Sequence, residues 1–468
     1  MTHDILFILP EVVLAAGALF ILVCGVFGCR RWLLGFLALA SLTLAFFVLP
    51  GGSNTASSAF SGMLMGDAFG FAMRIFFLVA TVLAVLLSMG YRWQDDDDAG
   101  EYFFFLLVAT ACMMLAVSSG NLMMLYLSVE MLSIVSYVLA GFLKRDIYST
   151  EAGLKYFLFG ALSTGLMLYG ITLVYGLFGT LNLADINARL ALSGVYAPTL
   201  ILAAVLVFAG LAFKASIVPF HMWVADVYDG APWPVAAFFS VAPKALGFAL
   251  LVRVFFGSSA LMHSGWPGIT AVLAILTMTI GNLSAFHQDN VKRLLAFSSV
   301  GQAGYILAGL ATGLLGLQAA FFYMIIYVFM NMGAFASAAL LSPNRMDLAA
   351  YKGMGQRAPW GAMFFTMFLL SLAGLPPLAG FLAKFLVIRA AVEGHYFWLA
   401  AAVVLNSVIA FFYYLKVIKI MYMDKPASVK EVAISRDGYL LLAISCAAVI
   451  GFGLWPKPLL DILAVIFA

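Results

Sequence analysis

The stretch Thr199-Leu-Ile-Leu-Ala-Ala-Val-Leu-Val-Phe-Ala-Gly-Leu-Ala-Phe-Lys214-Ala-Ser-Ile-Val-Pro219-Phe220 decides how the rest of the chain is read. Its 22 residues carry a single charge, Lys214, about fifteen residues into an otherwise apolar run. At the α-helical rise such a run is about 33 Å long, enough to cross a hydrocarbon core of about 30 Å. The whole chain has the same character. Of 468 residues, 65% are hydrophobic and 10% charged, 42 are Phe, and the mean hydropathy is +1.08. Soluble domains run at about 45–50% apolar and about 25% charged, so a water-soluble fold is excluded. A net charge of +3, scattered along the chain, gives no reason to expect a nucleic-acid partner.

Polar breaks divide the chain into fourteen candidate spans, near 5–28, 32–49, 69–89, 102–118, 121–142, 152–178, 199–220, 232–257, 268–286, 292–312, 315–341, 361–390, 397–422 and 438–455. The expected fold class is an all-α polytopic membrane protein of about 14 transmembrane helices. The first apolar run has no Lys or Arg before it and is too long for a signal peptide, so it reads as a spanning helix. Alternate loops, beginning with the first, carry thirteen basic residues: Arg30, Arg31, Arg92, Lys144, Arg145, Lys292, Arg293, Arg345, Lys352, Arg357, Lys425, Lys430 and Arg436. The intervening loops carry Arg189, with Arg389 and Lys457 near outer helix ends. The positive-inside rule then places both termini outside the cytoplasm. The acidic run Asp95–Asp98 reads as a solvated loop, with partner docking as the lesser alternative.

Several chemistries find no support. Cys24, Cys29, Cys112 and Cys446 sit singly in apolar runs, with no C-x-x-C pair for a disulfide framework, zinc or an iron–sulfur cluster. The five histidines have no metalloprotease or haem spacing. The run from Gly353 to Ala358 matches G-x-G-x-x-A, but it lies in a polar loop with no strand before it and is rejected as a dinucleotide site.

A charge in mid-bilayer costs at least about 2.5–3.5 kcal/mol, which makes each one a functional candidate. Glu130 lies in the middle of the fifth span, with Ser133 and Tyr137 on the same helical face. Lys214 lies in the seventh span. Lys244 is about twelve residues into the eighth, roughly 18 Å deep, and Lys384 is one turn into the second half of the twelfth. A static buried ion pair is the competing reading, but one glutamate cannot neutralise three lysines. Pro219 follows Lys214 by five residues, Pro243 directly precedes Lys244, and Pro376 and Pro377 precede Lys384, so each lysine is expected beside a helix break. In hydrocarbon a freed carbonyl needs water or protein, so broken helices belong beside polar cavities. Lysine suits a proton path because burial disfavours its charge while a nearby carboxylate restores it. Lys214 is the preferred partner of Glu130. Lys155, spaced i, i+4 from Glu151, reads equally as an interfacial salt bridge or a proton-transfer group. His221 reads as a capping group or a relay. Arg74 and Arg253 are expected to snorkel or bind lipid headgroups, and His287 to be structural.

Phe213-Lys-Ala-Ser-Ile-Val-Pro-Phe-His-Met-Trp-Val-Ala-Asp-Val-Tyr-Asp-Gly-Ala-Pro232 followed by Phe239-Ser-Val-Ala-Pro-Lys244 closely resembles subunit N of bacterial respiratory complex I, the NADH–quinone oxidoreductase. Ser149-Thr-Glu-Ala-Gly-Leu-Lys-Tyr-Phe-Leu-Phe-Gly160 and Asn290-Val-Lys-Arg-Leu-Leu-Ala-Phe-Ser-Ser299 are similar to its other signatures. Tyr327 and Asn331 fit that family, where the related subunits L and M typically carry histidine and lysine. The resemblance implies two inverted five-helix repeats, 99–257 and 266–424, with discontinuous helices seven and twelve, between N-terminal helices in 1–98 and a last helix in 437–468. It also implies that Glu130 and Lys214 form a coupled pair, that Lys244 is the central relay, that Lys384 ends the path, and that Lys155 is an additional lysine of the sixth helix. Ala225 and Trp233 depart from the family's usual proline and threonine.

The implied function is proton translocation coupled to redox chemistry in partner subunits. No cofactor is expected in this chain. FMN, iron–sulfur clusters and quinone belong to those partners. The expected partners are antiporter-like subunit M, small membrane subunits, lipids and, indirectly, the hydrophilic redox arm. The expected location is a bacterial inner membrane, an organellar one being the lesser alternative. A subunit of a cation/proton antiporter and a non-conducting membrane scaffold are the competing functions.

Overall fold

Hydrocarbon offers a backbone no hydrogen-bond partner, so a chain this apolar must satisfy its amides internally, as helices. The computed structural model describes residues 2–50, 57–91, 93, 98–193, 198–256, 265–342, 346–426, 432 and 434–467. Asp95, Asp96 and Asp97 of the acidic run, and the orienting charges Arg92, Arg345 and Lys430, lie outside the described residues.

The helices are α1 (Thr2–Phe7), α2 (Leu9–Val26), α3 (Arg31–Phe47), α4 (Ala68–Gly90), α5 (Ala99–Val117), α6 (Leu122–Ala140), α7 (Ile147–Phe178), α8 (Leu183–Ser193), α9 (Pro198–Ala215) and α10 (Val224–Gly230). They continue with α11 (Trp233–Leu251), α12 (Trp266–Phe286), α13 (Val291–Leu310), α14 (Gly313–Leu341), α15 (Met354–Arg357), α16 (Pro359–Ala373), α17 (Ala379–Glu393), α18 (Phe397–Met423), α19 (Arg436–Leu454) and α20 (Lys457–Ile466). Each of the fourteen stretches singled out from hydropathy contains α-helix among its described residues, with 199–220 and 361–390 interrupted. Among the described residues, eleven helices are long and apolar enough to cross a membrane, and Arg31–Phe47 and Pro359–Ala373 are shorter apolar helices.

Local chemistry sets the ends. Asn121, Asp146 and Asn290 cap α6, α7 and α13 by accepting backbone N–H bonds from Met123, Tyr148 and Lys292. Gly179 ends α7 in the left-handed region at φ 64°. Between α3 and α4 lies a small antiparallel hairpin, β1 (Ser57–Ala59) and β2 (Leu64–Gly66), pairing Ser58 with Met65 and Ala59 with Leu64.

The packing divides into two units. The first comprises Met1–Val85, Trp93–Ala215 and Ala242–Trp266; the second comprises Leu86–Arg92, Ser216–Val241 and Pro267–Ala468. In the first, α2 packs on α5 and α7 on α9; in the second, α14 is the hub for α13, α16, α17 and α19.

Two of the three expected helix breaks are present. After α9 the backbone turns at Ser216, whose φ of 59° cannot continue a right-handed helix, and it becomes helical again only at Val224. Pro219 lies in that irregular segment. The second break opens at Gly374, φ 91°, contains Pro376 and Pro377, and closes at the start of α17. Pro243 corrects the expectation, because it sits inside α11, which runs unbroken past Lys244. A proline removes one amide donor, and a helix embedded in protein on all sides holds its course through the bonds that remain. The irregularity of α11 appears further on, as a π-helical turn over Val252–Phe256.

Candidate functional site

In the first unit the proton-transfer candidates gather around α6, α7 and α9. Lys214, on the last turn of α9, is 2% exposed, and its Nζ has no hydrogen-bond partner among the described residues. It lies 5.7 Å from the centre of the Tyr156 ring, over the ring face. Tyr156 stands edge-on to Tyr137 at 5.1 Å, so an aromatic wall runs from α6 through α7 to Lys214. Glu130 is half-buried at the middle of α6, with Oε2 shielded from solvent. No hydrogen bond joins it to the Lys214 ammonium among the described residues. Ser133 turns away from it and donates to the Val129 carbonyl at 2.7 Å.

Lys244, 3% exposed, lies in the part of α11 that belongs to the same unit. The turns bearing the two lysines approach closely, because a Cβ added at Gly247 would come within 2.6 Å of the Ala215 backbone nitrogen. Only glycine lets α9 and α11 meet here. Gly247→Leu is expected to destabilise the protein by about 1–3 kcal/mol through overpacking, read as a lowered Tm of the purified complex. An unchanged Tm would mean the helices can separate at no cost.

Lys155 is not part of this buried group. It pairs with Glu151 at 2.7 Å, and the two side chains are 38% and 52% exposed. His221 lies half-buried in the irregular segment after α9, which belongs to the second unit.

Lys384 organises the second unit. It is 4% exposed and donates from Nζ to the Ala373 carbonyl at 2.9 Å, bridging the break between α16 and α17. The ammonium lies 4.6 Å from the centre of the Tyr305 ring. Tyr305 continues into a buried polar network: the Asn282 amide donates to its hydroxyl at 3.2 Å, and Tyr413 donates to Asn282 Oδ1 at 3.1 Å. Beside it, Gln302 accepts from Tyr323 and donates to Tyr414 Oη at 3.1 Å and to the Leu372 carbonyl at 3.2 Å. A groove of about 350 Å³ opens against Lys384, walled by Phe381, Phe385, Val404 and Val408. Asn331 donates to Ser240 Oγ at 2.6 Å, while the Tyr327 hydroxyl has no hydrogen-bond partner among the described residues. Nor do any three His, Cys, Asp or Glu side chains among them gather as a metal site requires.

Two expectations need correcting. Arg74 and Arg253 do not reach for lipid headgroups. Arg74 is buried against Glu11 at 2.7 Å, and Arg253 makes two 3.0 Å bonds to the carboxylate of Asp67. A guanidinium that is buried needs a carboxylate beside it, because a buried charge left unpaired is strongly destabilising. Lys292, counted among the orienting loop charges, is 1% exposed and donates to the carbonyls of Asp229 and Ala231. Glu11 and Asp67 went unnoticed because neither lies deep in an apolar run. Glu11 follows Pro10 within the first span, and that placement was the available signal. His287, at the end of α12, has its Nδ1 2.8 Å from the Leu283 carbonyl.

Buried lysines on interrupted helices place the chain in a class of antiporter-like membrane proteins, and comparison with known proteins agrees. The family described as NADH:quinone oxidoreductase/Mrp antiporter, transmembrane, matches residues 119–410, more than half of the chain. NADH-quinone oxidoreductase subunit N of Trichlorobacter lovleyi is 41% identical over 423 residues, covering 89% of this chain and 87% of the relative. Subunit N of Rhodospirillum rubrum is 40% identical over 467 residues, covering 97% and 95%. A chain of respiratory complex I from Thermus thermophilus superposes with a TM-score of 0.83 at 30% identity, covering 97% of this chain and 98% of that one. This chain belongs to the NADH-quinone oxidoreductase subunit N family.

Proposed function

We propose that this chain is a proton-translocating membrane subunit of an NADH:quinone oxidoreductase of the bacterial inner membrane. It moves protons through buried lysines while the redox chemistry takes place in partner subunits. The observation that carries this reading is Lys214: a nearly fully buried ammonium in the same unit as Glu130, with no hydrogen bond among the described residues to hold its proton in place. A static structural pair would be expected to close into a direct, hydrogen-bonded bridge, as Glu11 and Arg74 do. A loose pair can be tightened or opened by a small displacement, and the proton on the lysine is retained or released accordingly.

In this reading Glu130 sets the charge state of Lys214, Lys244 receives the proton, and Lys384 performs the terminal step. The carbonyl of Ala373 and the face of Tyr305 steady the Lys384 ammonium. Moving one proton against 100 mV requires about 2.3 kcal/mol, which a change of one or two pKa units supplies. FMN, iron–sulfur clusters and quinone chemistry are assigned to the partner subunits. Antiporter-like subunit M and small membrane subunits are the proposed neighbours, and both termini face away from the cytoplasm.

The test uses the assembled complex in sealed vesicles, with NADH oxidation and proton uptake recorded together. Lys244→Met is expected to lower the number of protons moved per NADH while the complex still assembles. An unchanged ratio would remove Lys244 from the path. Absence of NADH:quinone oxidoreductase activity from the wild-type assembly would overturn the assignment to that complex and favour a cation/proton antiporter.

A further inference from the structure

Lys292 is almost completely buried, yet its hydrogen bonds go to carbonyl oxygens at the end of α10: Asp229 O at 3.0 Å and Ala231 O. The last carbonyls of a helix have no partner within it, and here an ammonium supplies one. The cation also lies 5.1 Å from the centre of the Trp233 ring. Trp233 is 1% exposed and is held edge-on by Phe335 of α14 at 6.3 Å. A desolvated ammonium against an indole face is a favourable arrangement.

Neighbouring residues fasten the same two elements. Asn290 caps α13 through Oδ1 while its amide donates to Asp229 Oδ1 at 2.9 Å. Arg293 Nη1 donates to Asp226 Oδ1 at 2.8 Å. Near the start of the irregular segment, the Val218 amide donates to Thr277 Oγ1 on α12 at 3.1 Å. All of these residues belong to the second unit. Residues 218–231 are thus tied near one end to α12 and at the other to α13, with Lys292 the buried member of the second tie.

We propose that Lys292, seated on the Trp233 ring, is a positioning residue that clamps the end of α10 onto α13 and so fixes the segment that follows the break at Ser216. The surface pairs Arg293–Asp226 and Arg293–Asp229 are partly solvated and hold weakly. The buried ammonium, whose removal would leave the buried Ala231 carbonyl without this donor, holds strongly. Lys292 acts here through the position of α10. Its effect on pumping rests on the reading of Lys214 as a proton-transfer group, because α10 follows closely after Lys214 in the chain.

The test is hydrogen–deuterium exchange of residues 224–232 in the assembled complex, run beside proton uptake per NADH. Lys292→Met keeps the length and loses the donors, and is expected to speed exchange there by about tenfold or more and to lower proton uptake per NADH. Lys292→Arg, which restores cation and donors, is expected to recover both. If Lys292→Met does not assemble, Trp233→Leu against Trp233→Phe tests the same seat, with faster exchange expected only for Leu. Unchanged exchange in Lys292→Met, or exchange in Lys292→Arg as fast as in Lys292→Met, would overturn the clamp. Lys214→Met serves as the separate arm: normal pumping there would sink the proton-transfer reading, whereas the exchange result on α10 still decides the clamp.

Discussion

Lys214→Met is expected to abolish most NADH-driven proton uptake by vesicles carrying the assembled complex, with a loss of at least about tenfold, since an interaction of only about 1.4 kcal/mol already corresponds to that factor. The side chain is buried beside Tyr156, so methionine fills nearly the same volume and packing should survive. What disappears is the cation that answers Glu130. The assembled complex should therefore be recovered in normal amount while pumping is lost, and that separation is what distinguishes proton transfer from scaffolding. If the yield of complex fell in proportion to pumping, Lys214 would be a structural residue.

The second large effect concerns stability. Glu11→Ala leaves the guanidinium of Arg74 buried without its carboxylate, and breaking such a pair costs about 3–5 kcal/mol. The two side chains are 3% and 5% exposed, so water cannot take the place of the lost partner. Arg74 keeps a weak 3.4 Å bond to the Phe7 carbonyl and its position over the Phe7 ring, neither of which neutralises its charge. Intact complex in membranes, measured on native gels, and its Tm are both expected to fall sharply. The double change Glu11→Leu with Arg74→Met should recover most of the loss, because an apolar pair of similar volume is often as stable as a buried ion pair. A double variant as unstable as the single one would assign Glu11 a role other than neutralising Arg74.

The fold was legible wherever hydrocarbon imposed a strict rule. Every helix that must bury an apolar run, from Leu9–Val26 to Arg436–Leu454, was marked by hydropathy and bounded by polar residues. The short elements were not. The β1–β2 hairpin and the helix α8 have neither length nor hydropathy to set them apart from loops, and α20 is apolar but too short to span. Helix interruptions were legible where backbone geometry enforced them, at Ser216 and Gly374, and were overestimated at Pro243, where the surrounding protein keeps α11 continuous.

The site divided along similar lines. Charges deep within apolar runs, Lys214, Lys244 and Lys384, are buried as their positions required. Charges near helix ends were misread, because position along the chain does not reveal a partner from a distant segment. Arg253 meets Asp67 across 186 residues, and Lys292 meets Asp229 across 63. Periodicity carries no information on such pairings.

The central claim is that Glu130 and Lys214 act as one unit in moving a proton. A double-mutant cycle on the reconstituted complex tests it most directly, with protons moved per NADH measured for wild type, Glu130→Gln, Lys214→Met and the double variant. Each single change is expected to lower the ratio, and the double variant to fall no further than the worse of the two. Losses that simply add, or a wild-type ratio in either single variant, would contradict it.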